Sequence, residues 1–261
     1  MKKFLAFLLL GAILLCAGCS SATGKLEKIK SSGKMTVYTD PNFSPFEFLV
    51  DGKPTGVDIE IAKAIAAELG AKDIKFKEAN FDSILMAIKD GKGDIAISGI
   101  TISDERKESV DFSDPYINSV QYLILAEGST IAVMEDLAGK KVGVAKGYTG
   151  QFLMEDEIKD GVLAGAGTEL LEYNSALEAT IDLQNGRVEA VVMDEYVAKN
   201  IATQNNGIEA KELRYKDGSV ASEEYGVALP KGNEDLLAII NGVIKKLLEE
   251  DKIREWVIQY S

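Results

Sequence analysis

The stretches AIKDGKGDIAISGI at 87–100 and DLQNGRVEAVVMDE at 182–195 share one pattern. In each, a segment of helical period ends in an Asp-Gly or Asn-Gly turn, followed by a basic residue, an acidic residue, an apolar run and a polar terminus. A second pair also matches, GKMTVYTDPNF at 33–43 and GKKVGVAKGYT at 139–149, each with a Gly-Lys lead, a short strand and a polar loop. Either pair alone is explained by chance similarity between generic βα units. Because both pairs occur in the same order, the sequence predicts two related α/β lobes.

Short apolar runs alternate with segments of helical period along the rest of the chain, which is typical of an α/β protein. The predicted strands lie at 35–38, 94–97 and 141–145, and the predicted helices at 57–70, 83–89 and 234–250. Ligands of open α/β sheets bind beyond the carboxyl ends of the strands. We therefore expect one cleft between the lobes, lined by the loops at 40–43, 98–106, 146–149 and 194.

Composition narrows the class of partner. A chain of 261 residues with 46% hydrophobic residues can bury one large core or two moderate ones. The net charge is −13 and there is no histidine, which argues against nucleic acid and against imidazole-based acid–base or metal chemistry. We expect no cofactor, no metal and no nucleic-acid partner, and a ligand that is neutral, zwitterionic or cationic.

The amino-terminal stretch MKKFLAFLLLGAILLCAGC at 1–19 has a basic start, an apolar run too short to span a membrane, and small residues before its last cysteine. It resembles a bacterial lipoprotein signal, which predicts removal of residues 1–18 and lipidation of Cys19. The sequence departs from this signal at Cys16, which stands three residues before Cys19, where a leucine is usual. Without residues 1–18 the net charge becomes −15 and one cysteine remains, so a disulfide within the chain is excluded. Residues 19–33 are predicted to form a flexible tether.

Complementary charges in the predicted loops indicate an amino-acid site. Arg106 offers a planar fork of donors for a carboxylate, worth roughly 1.5–3 kcal/mol per charge-assisted hydrogen bond. Ser98 and Thr101 add hydroxyl groups, and Asp194 is a partner for an ammonium group. An arginine on one lobe and an aspartate on the other match the two ends of a free α-amino acid.

Each of these residues also has a structural interpretation. Arg106 lies in DERKE and is able to form a surface ion pair with Asp104 or Glu105, while Asp194 is placed to cap the helix that begins EYVAKN. Phe43 and Phe81 are candidates for ordinary core residues. Phe43, however, lies in a polar loop, and two rings at the cleft could hold the aliphatic part of a ligand between them.

Motifs along the chain resemble those of the polar amino-acid substrate-binding proteins of ABC transporters, solute-binding protein family 3. The resemblance covers nearly all of residues 34–261. The matching segments are TDPNFSPFEF (39–48), GVDIEIAKAIAAEL (56–69), GDIAISGITISDERKESVDFSDPY (93–116), KVGVAKGYTG (141–150), GRVEAVVMD (186–194) and EEYGVALPKGN (223–233).

The resemblance implies the type II periplasmic-binding-protein fold, with two lobes, two hinge crossovers and a ligand cleft between the lobes. The crossovers are expected near 123–126 and 225–227. Lobe 1 would then comprise residues 34–123 and 227–261, and lobe 2 residues 124–226.

The resemblance also implies a role for each cleft residue. The implied roles are carboxylate binding by Arg106, Thr101, a backbone amide near Ile100 and Thr149, ammonium binding by Ser98 or Gly99 with Asp194, and side-chain contacts from Phe43 and Phe81. In relatives the position of Asp40 contacts a polar ligand side chain, and Lys146 lies on the opposing loop. Together they would suit glutamine, and Asp40 alone would suit lysine or arginine; the other interpretation is that both face water. Tyr148 stands where relatives have a small residue, and we expect it to narrow the cleft or to contact the ligand.

These observations predict a monomeric, lipid-anchored, extracytoplasmic protein that binds a free polar amino acid and delivers it to an ABC permease. An enzyme of the same fold, such as a dehydratase, is the first alternative. Glu47 and Glu195 are the nearby acid–base candidates, but we expect no catalytic residue. The second alternative is an amino-acid sensor without transport.

Overall fold

The computed structural model describes residues 24–261, so the predicted signal segment, Cys19 and the first part of the tether lie outside the described residues. The strands are β1 (Lys34–Thr39), β2 (Asn42–Phe43), β3 (Glu47–Val50), β4 (Lys53–Thr55), β5 (Asp73–Glu78), β6 (Ile95–Ala96), β7 (Asp111–Phe112), β8 (Ile117–Ala126), β9 (Lys141–Ala145), β10 (Glu169–Tyr173), β11 (Ala190–Asp194), β12 (Ile208–Glu212), β13 (Ser222–Tyr225) and β14 (Ala228–Leu229). The helices are α1 (Lys25–Ser32), α2 (Val57–Glu68), α3 (Phe81–Lys89), α4 (Asp104–Lys107), α5 (Thr149–Lys159), α6 (Ala176–Gln184), α7 (Glu195–Gln204), α8 (Glu234–Glu249) and α9 (Lys252–Tyr260), with a 3-10 turn at Met134–Leu137. Within residues 24–261, no helix has both the length and the apolar character needed to cross a membrane.

Two sheets form the centres of two lobes, and the prediction of a two-lobed α/β fold is confirmed. The lobe 1 sheet has the order β5-β1-β6-β14-β7, and the lobe 2 sheet has the order β10-β9-β11-β8-β12. In lobe 1, β1 lies parallel to β5 and β6; in lobe 2, β9 lies parallel to β10 and β11. The matched sequence segments therefore occupy equivalent places, β1 with β9 and β6 with β11.

The predicted position of the first crossover is wrong. Strand β7 pairs with β14 in lobe 1, whereas β8 pairs with the lobe 2 strands β11 and β12 and, at its beginning, with β13. The chain therefore leaves the lobe 1 sheet after Phe112 and enters the lobe 2 sheet at Gln121, ahead of 123–126. Residues 117–120 pair with β13 instead, between the two sheets. The segment 123–126, where the resemblance implied a crossover, instead pairs with β11 and β12 inside the lobe 2 sheet. The second crossing lies between β13 and β14, within 225–227.

The last part of the predicted flexible tether is also corrected. Helix α1 buries Ile29 completely, and Gly33 ends the helix in the left-handed conformation with φ 67°. The Lys25 ammonium group lies 2.7 Å from the carbonyl oxygen of Gly93 and 3.1 Å from the Asp94 carboxylate. Lobe 1 therefore begins at helix α1 and not at residue 34.

Candidate functional site

The loops at the carboxyl ends of the strands meet between the lobes. The Thr101 hydroxyl oxygen of lobe 1 is 2.7 Å from the Thr149 hydroxyl oxygen of lobe 2. The Arg106 guanidinium donates to the carbonyl oxygen of Gly147 across the same boundary. Parallel strands place these loops at one edge of each sheet, as the sequence pattern predicted.

Arg106 is positioned by the short helix α4. The Ser103 hydroxyl caps this helix by accepting from the Arg106 backbone amide at 3.2 Å. The guanidinium donates to the carbonyl oxygen of Thr101 at 2.8 Å and to that of Gly147 at 2.9 Å. Burial lowers the pKa of the guanidinium, although acidic neighbours, Asp194 first among them, act in the opposite direction. The structure shows Arg106 directed into the cleft.

Asp194 ends strand β11 and is 2% exposed. Its side chain makes no capping bond to helix α7. Instead its two oxygens accept from the Gln121 amide at 2.6 Å and from the Tyr225 hydroxyl at 2.7 Å. Burial raises the pKa of this carboxyl group, and the charge of Arg106 partly offsets that rise. Asp194 is therefore a buried acidic group of the cleft rather than a helix cap.

Glu223 is a cleft residue that the sequence analysis missed. Its carboxylate accepts from the Thr101 hydroxyl at 2.7 Å and from the Gln121 amide at 2.9 Å. It is 5% exposed, and burial together with the negative charge of Asp194 raises its pKa to about 8. Alternation along EEYG would have indicated it, because residues 223 and 225 share one face of β13. With Asp194, it gives the cleft two acidic groups near one guanidinium.

Three aromatic rings fill the centre of the cleft. Phe43 and Phe81, expected to flank the ligand, flank Tyr148: its ring centroid is 5.6 Å from that of Phe43 and 4.0 Å from that of Phe81. All three side chains are buried. The Arg106 guanidinium carbon lies 5.5 Å from the Phe81 centroid, so the aromatic cluster also adjoins the guanidinium group.

Asp40 and Lys146 are not brought together as a pair. Asp40 is 3% exposed and accepts from the Asn42 amide at 2.6 Å and from the Phe81 backbone amide at 3.1 Å. Burial raises the pKa of its carboxyl group. Lys146 is exposed and lines a groove of about 600 Å³ together with Phe81, Arg106 and Thr149, and the lining of this groove does not include Asp40. Asp40 is therefore buried beside the aromatic cluster, whereas Lys146 faces water.

The segment 98–100 is held mainly by partners within lobe 1. The Ser98 hydroxyl donates to Glu47 at 2.6 Å, and the Gly99 amide donates to Asp58 at 2.8 Å. The Ile100 carbonyl accepts from the backbone amide of the second crossover at 3.0 Å. Burial raises the pKa of Glu47 well above its usual range and that of Asp58 to about 6, because a charged carboxylate at either position would lack stabilising contact with water. These contacts fix the loop that carries Thr101 and Arg106.

The acid–base candidates of the enzyme alternative have other partners. Glu47 is completely buried beside Asp58, and Glu195 forms an ion pair with Lys199 one helical turn away. In the part of the chain that the structure describes, no group of three or more acidic, cysteine or histidine side chains is placed to hold a metal ion.

The chain is similar to known binding proteins over nearly its whole length. The family model described as bacterial extracellular solute-binding proteins, family 3, matches residues 35–261. The L-cystine-binding protein TcyJ of Escherichia coli is 32% identical, with 93% of this chain and 90% of the relative covered. The L-arginine-binding protein of Pseudomonas aeruginosa is 33% identical, with 82% of each covered.

A solved structure shows the same architecture. The amino acid ABC transporter substrate-binding protein AbpA of Streptococcus pneumoniae, bound to L-arginine, superposes with a TM-score of 0.81 and 34% identity, covering 89% of this chain and 96% of that chain. These relatives are substrate-binding proteins and not enzymes, as the sequence led us to expect. The chain belongs to family 3 of the bacterial extracellular solute-binding proteins.

Proposed function

We propose that this protein binds a free polar L-amino acid in the cleft between its lobes and delivers it to the permease of an ABC importer. The observation that carries the proposal is the placement of Arg106 on lobe 1 and Asp194 on lobe 2 at one buried cleft. A guanidinium group pairs with the ligand carboxylate, and the aspartate pairs with its ammonium group. The family supports the class of function, and the names of the relatives support the amino-acid ligand.

Closure of the cleft would be coupled to binding because the two charged groups lie on different lobes. A ligand that contacts both lobes binds the closed form better than the open form and shifts the population toward closure. Micromolar affinity corresponds to about −8 kcal/mol, which a few charge-assisted hydrogen bonds shielded from water supply. The closed form would then be the one that the permease recognises.

The polar side chain of the ligand is proposed to be basic, with glutamine as the second candidate. Asp40 is a buried acceptor in the aromatic cluster, and Asp194 and Glu223 add acidic groups nearby. Lys146, the donor that a glutamine side chain would use, is exposed and lines a groove with Arg106 and Thr149 that Asp40 does not line. Relatives of nearly equal identity are named for cystine and for arginine, so identity alone does not decide the ligand.

The location proposed is outside the cytoplasm, with Cys19 carrying a lipid that anchors a monomeric chain to the membrane. The lipoprotein-like sequence of residues 1–19 supports this part of the proposal. Labelling of cells with a radioactive fatty acid tests it: label in the wild-type protein and none in Cys19→Ala is expected, and equal label in both would contradict it.

Thermal unfolding with each common amino acid tests the ligand class. The protein, residues 20–261, is first unfolded and refolded to remove any ligand carried through purification. A ligand that binds only the folded state raises the midpoint. We expect a rise with a few polar amino acids, its loss in Arg106→Ala, and its retention in Arg187→Ala, a control at an exposed arginine of lobe 2.

The outcome that would contradict the proposal is a folded wild-type protein whose midpoint moves with none of them. Far-ultraviolet circular dichroism of Arg106→Ala should match that of the wild-type protein, which checks that the variant is folded. Mass spectrometry of the released ligand separates binding from catalysis, because a binding protein returns the amino acid unchanged.

A further inference from the structure

Tyr148 lies where the ligand side chain was expected. Its ring stacks between Phe43 and Phe81, at interplanar angles of 29° and 22°. The Asp40 carboxylate, the expected partner of a polar ligand side chain, is the charged group that most strongly influences the Tyr148 phenol. Tyr148 therefore makes the contacts that the aromatic and acidic residues would make with a ligand.

The tyrosine belongs to the opposite lobe from its partners. Tyr148 precedes helix α5 in lobe 2, whereas Phe43, Phe81 and Asp40 are in lobe 1. Its side chain thus enters lobe 1 across the cleft and is only 5% exposed. Opening the lobes would withdraw the ring from the two phenylalanines without any unfolding.

Hydrogen bonds hold the backbone around Tyr148. Besides opening of the lobes, a change of the Tyr148 rotamer is therefore the way in which its ring can leave the space between the two phenylalanines. The Tyr148 carbonyl accepts from the Gln151 amide at 3.0 Å, and the Tyr148 amide donates to Ala145 at 3.3 Å. Gly147 packs so closely on Asp82 of lobe 1 that a Cβ atom there would lie 3.0 Å from the Asp82 Cα. This loop therefore packs directly against lobe 1.

We propose that Tyr148 occupies the subsite for the ligand side chain and is a specificity-determining residue, because it competes with that side chain for the space between Phe43 and Phe81. The inference rests on the proposed amino-acid function. A ligand with a short side chain, such as alanine, reaches Arg106 and Asp194 without meeting the ring. A ligand with a long side chain, such as arginine or glutamine, closes the cleft only after the ring has moved.

The test compares Tyr148→Ser with the wild-type protein against alanine, arginine and glutamine, with affinities taken from midpoint shifts over a range of concentrations. We expect the preference for arginine or glutamine over alanine to rise by about tenfold or more in Tyr148→Ser. The control is Tyr215→Ser, which removes a tyrosine that donates to Glu157 at 2.6 Å in lobe 2, away from the aromatic cluster. It should lower the midpoint without changing the preference.

The outcomes separate this inference from the proposed function. Binding by the wild-type protein with an unchanged preference in Tyr148→Ser overturns the inference alone, even if the unfolding midpoint of the variant is lower. Absence of binding of any amino acid by wild-type and variant proteins overturns the proposed function, and the inference with it. A raised preference in Tyr148→Ser but not in Tyr215→Ser supports both.

Discussion

The hydroxyl groups of Thr101 and Thr149 form a hydrogen bond between the two lobes, with 2.7 Å between their oxygens. Together with the bond from Arg106 to the Gly147 carbonyl, it is one of the polar contacts that hold the lobes together. A single such bond has a net worth of about 0.5–1.5 kcal/mol. Under the proposed function, contacts of this strength would leave a balance between open and closed forms that a bound ligand can shift.

Thr149→Val should weaken closure while preserving the shape of the side chain. Loss of the hydrogen bond to Thr101 predicts a fall in ligand affinity of about threefold to tenfold, measured by isothermal titration calorimetry. Thr203→Val is the control, because the Thr203 hydroxyl bonds only to the backbone of its own helix on an exposed surface. Equal affinities of Thr149→Val and the wild-type protein would show that the inter-lobe bond does not contribute.

Glu223→Gln should flatten the dependence of stability on pH. The pKa of Glu223 is raised from 4.5 to about 8, so the folded state holds its proton more tightly than the unfolded state. The stability that protonated Glu223 contributes to the folded state is complete below pH 4.5 and is lost as pH rises to about 8. The free energy of unfolding from urea titrations should decrease less steeply in Glu223→Gln than in the wild-type protein between pH 6.5 and 8, which lies inside that range.

The control for that measurement is Glu224→Gln, at the exposed neighbouring position on β13. We expect its slope to match that of the wild-type protein. Indistinguishable slopes for all three proteins would mean that Glu223 is ionised in the folded cleft at neutral pH.

Gly99→Ala should destabilise the lobe 1 loop. Gly99 has φ 53°, and a Cβ atom there would lie 2.2 Å from the Phe43 ring. Backbone strain and displacement of the ring predict a loss of about 2–4 kcal/mol in the free energy of unfolding. Gly91→Ala is a matched control, because Gly91 has φ 70° but open space around it, and should lose about 1 kcal/mol. Equal losses would contradict a steric role for Gly99.

Ile29→Ala tests whether helix α1 is part of lobe 1. A completely buried isoleucine contributes about 2–5 kcal/mol when truncated to alanine, so the urea midpoint should fall clearly. Ile258→Ala, at a side chain that is 66% exposed, should change it little. A midpoint unaffected by Ile29→Ala would restore the interpretation of this segment as a tether.

Sequence pattern predicted the repeated strands and placed Arg106 and Asp194 at the cleft, because strand ends and charge type are local properties. The predicted segments agree with β1, β6, β9, α2, α3 and α8 to within a few residues at their ends. The first crossover was not predictable, because it depends on which half of β8 is central in a sheet. Alternation along β13 indicates that Glu223 and Tyr225 share a face, but that this face is the buried one follows from pairing with β8 at Ser119, a contact distant in sequence. The position of Tyr148 between two phenylalanines depends on the lobes meeting.

Helix α1 joins the beginning of the described chain to lobe 1. The Lys25 ammonium group donates hydrogen bonds to the carbonyl oxygens of Gly91 and Gly93, and its backbone amide donates to the Asn233 side chain. These contacts attach the start of helix α1 to lobe 1. Under the proposed lipid-anchored function, ligand binding would therefore displace lobe 2 relative to lobe 1, the lobe in which the described chain begins.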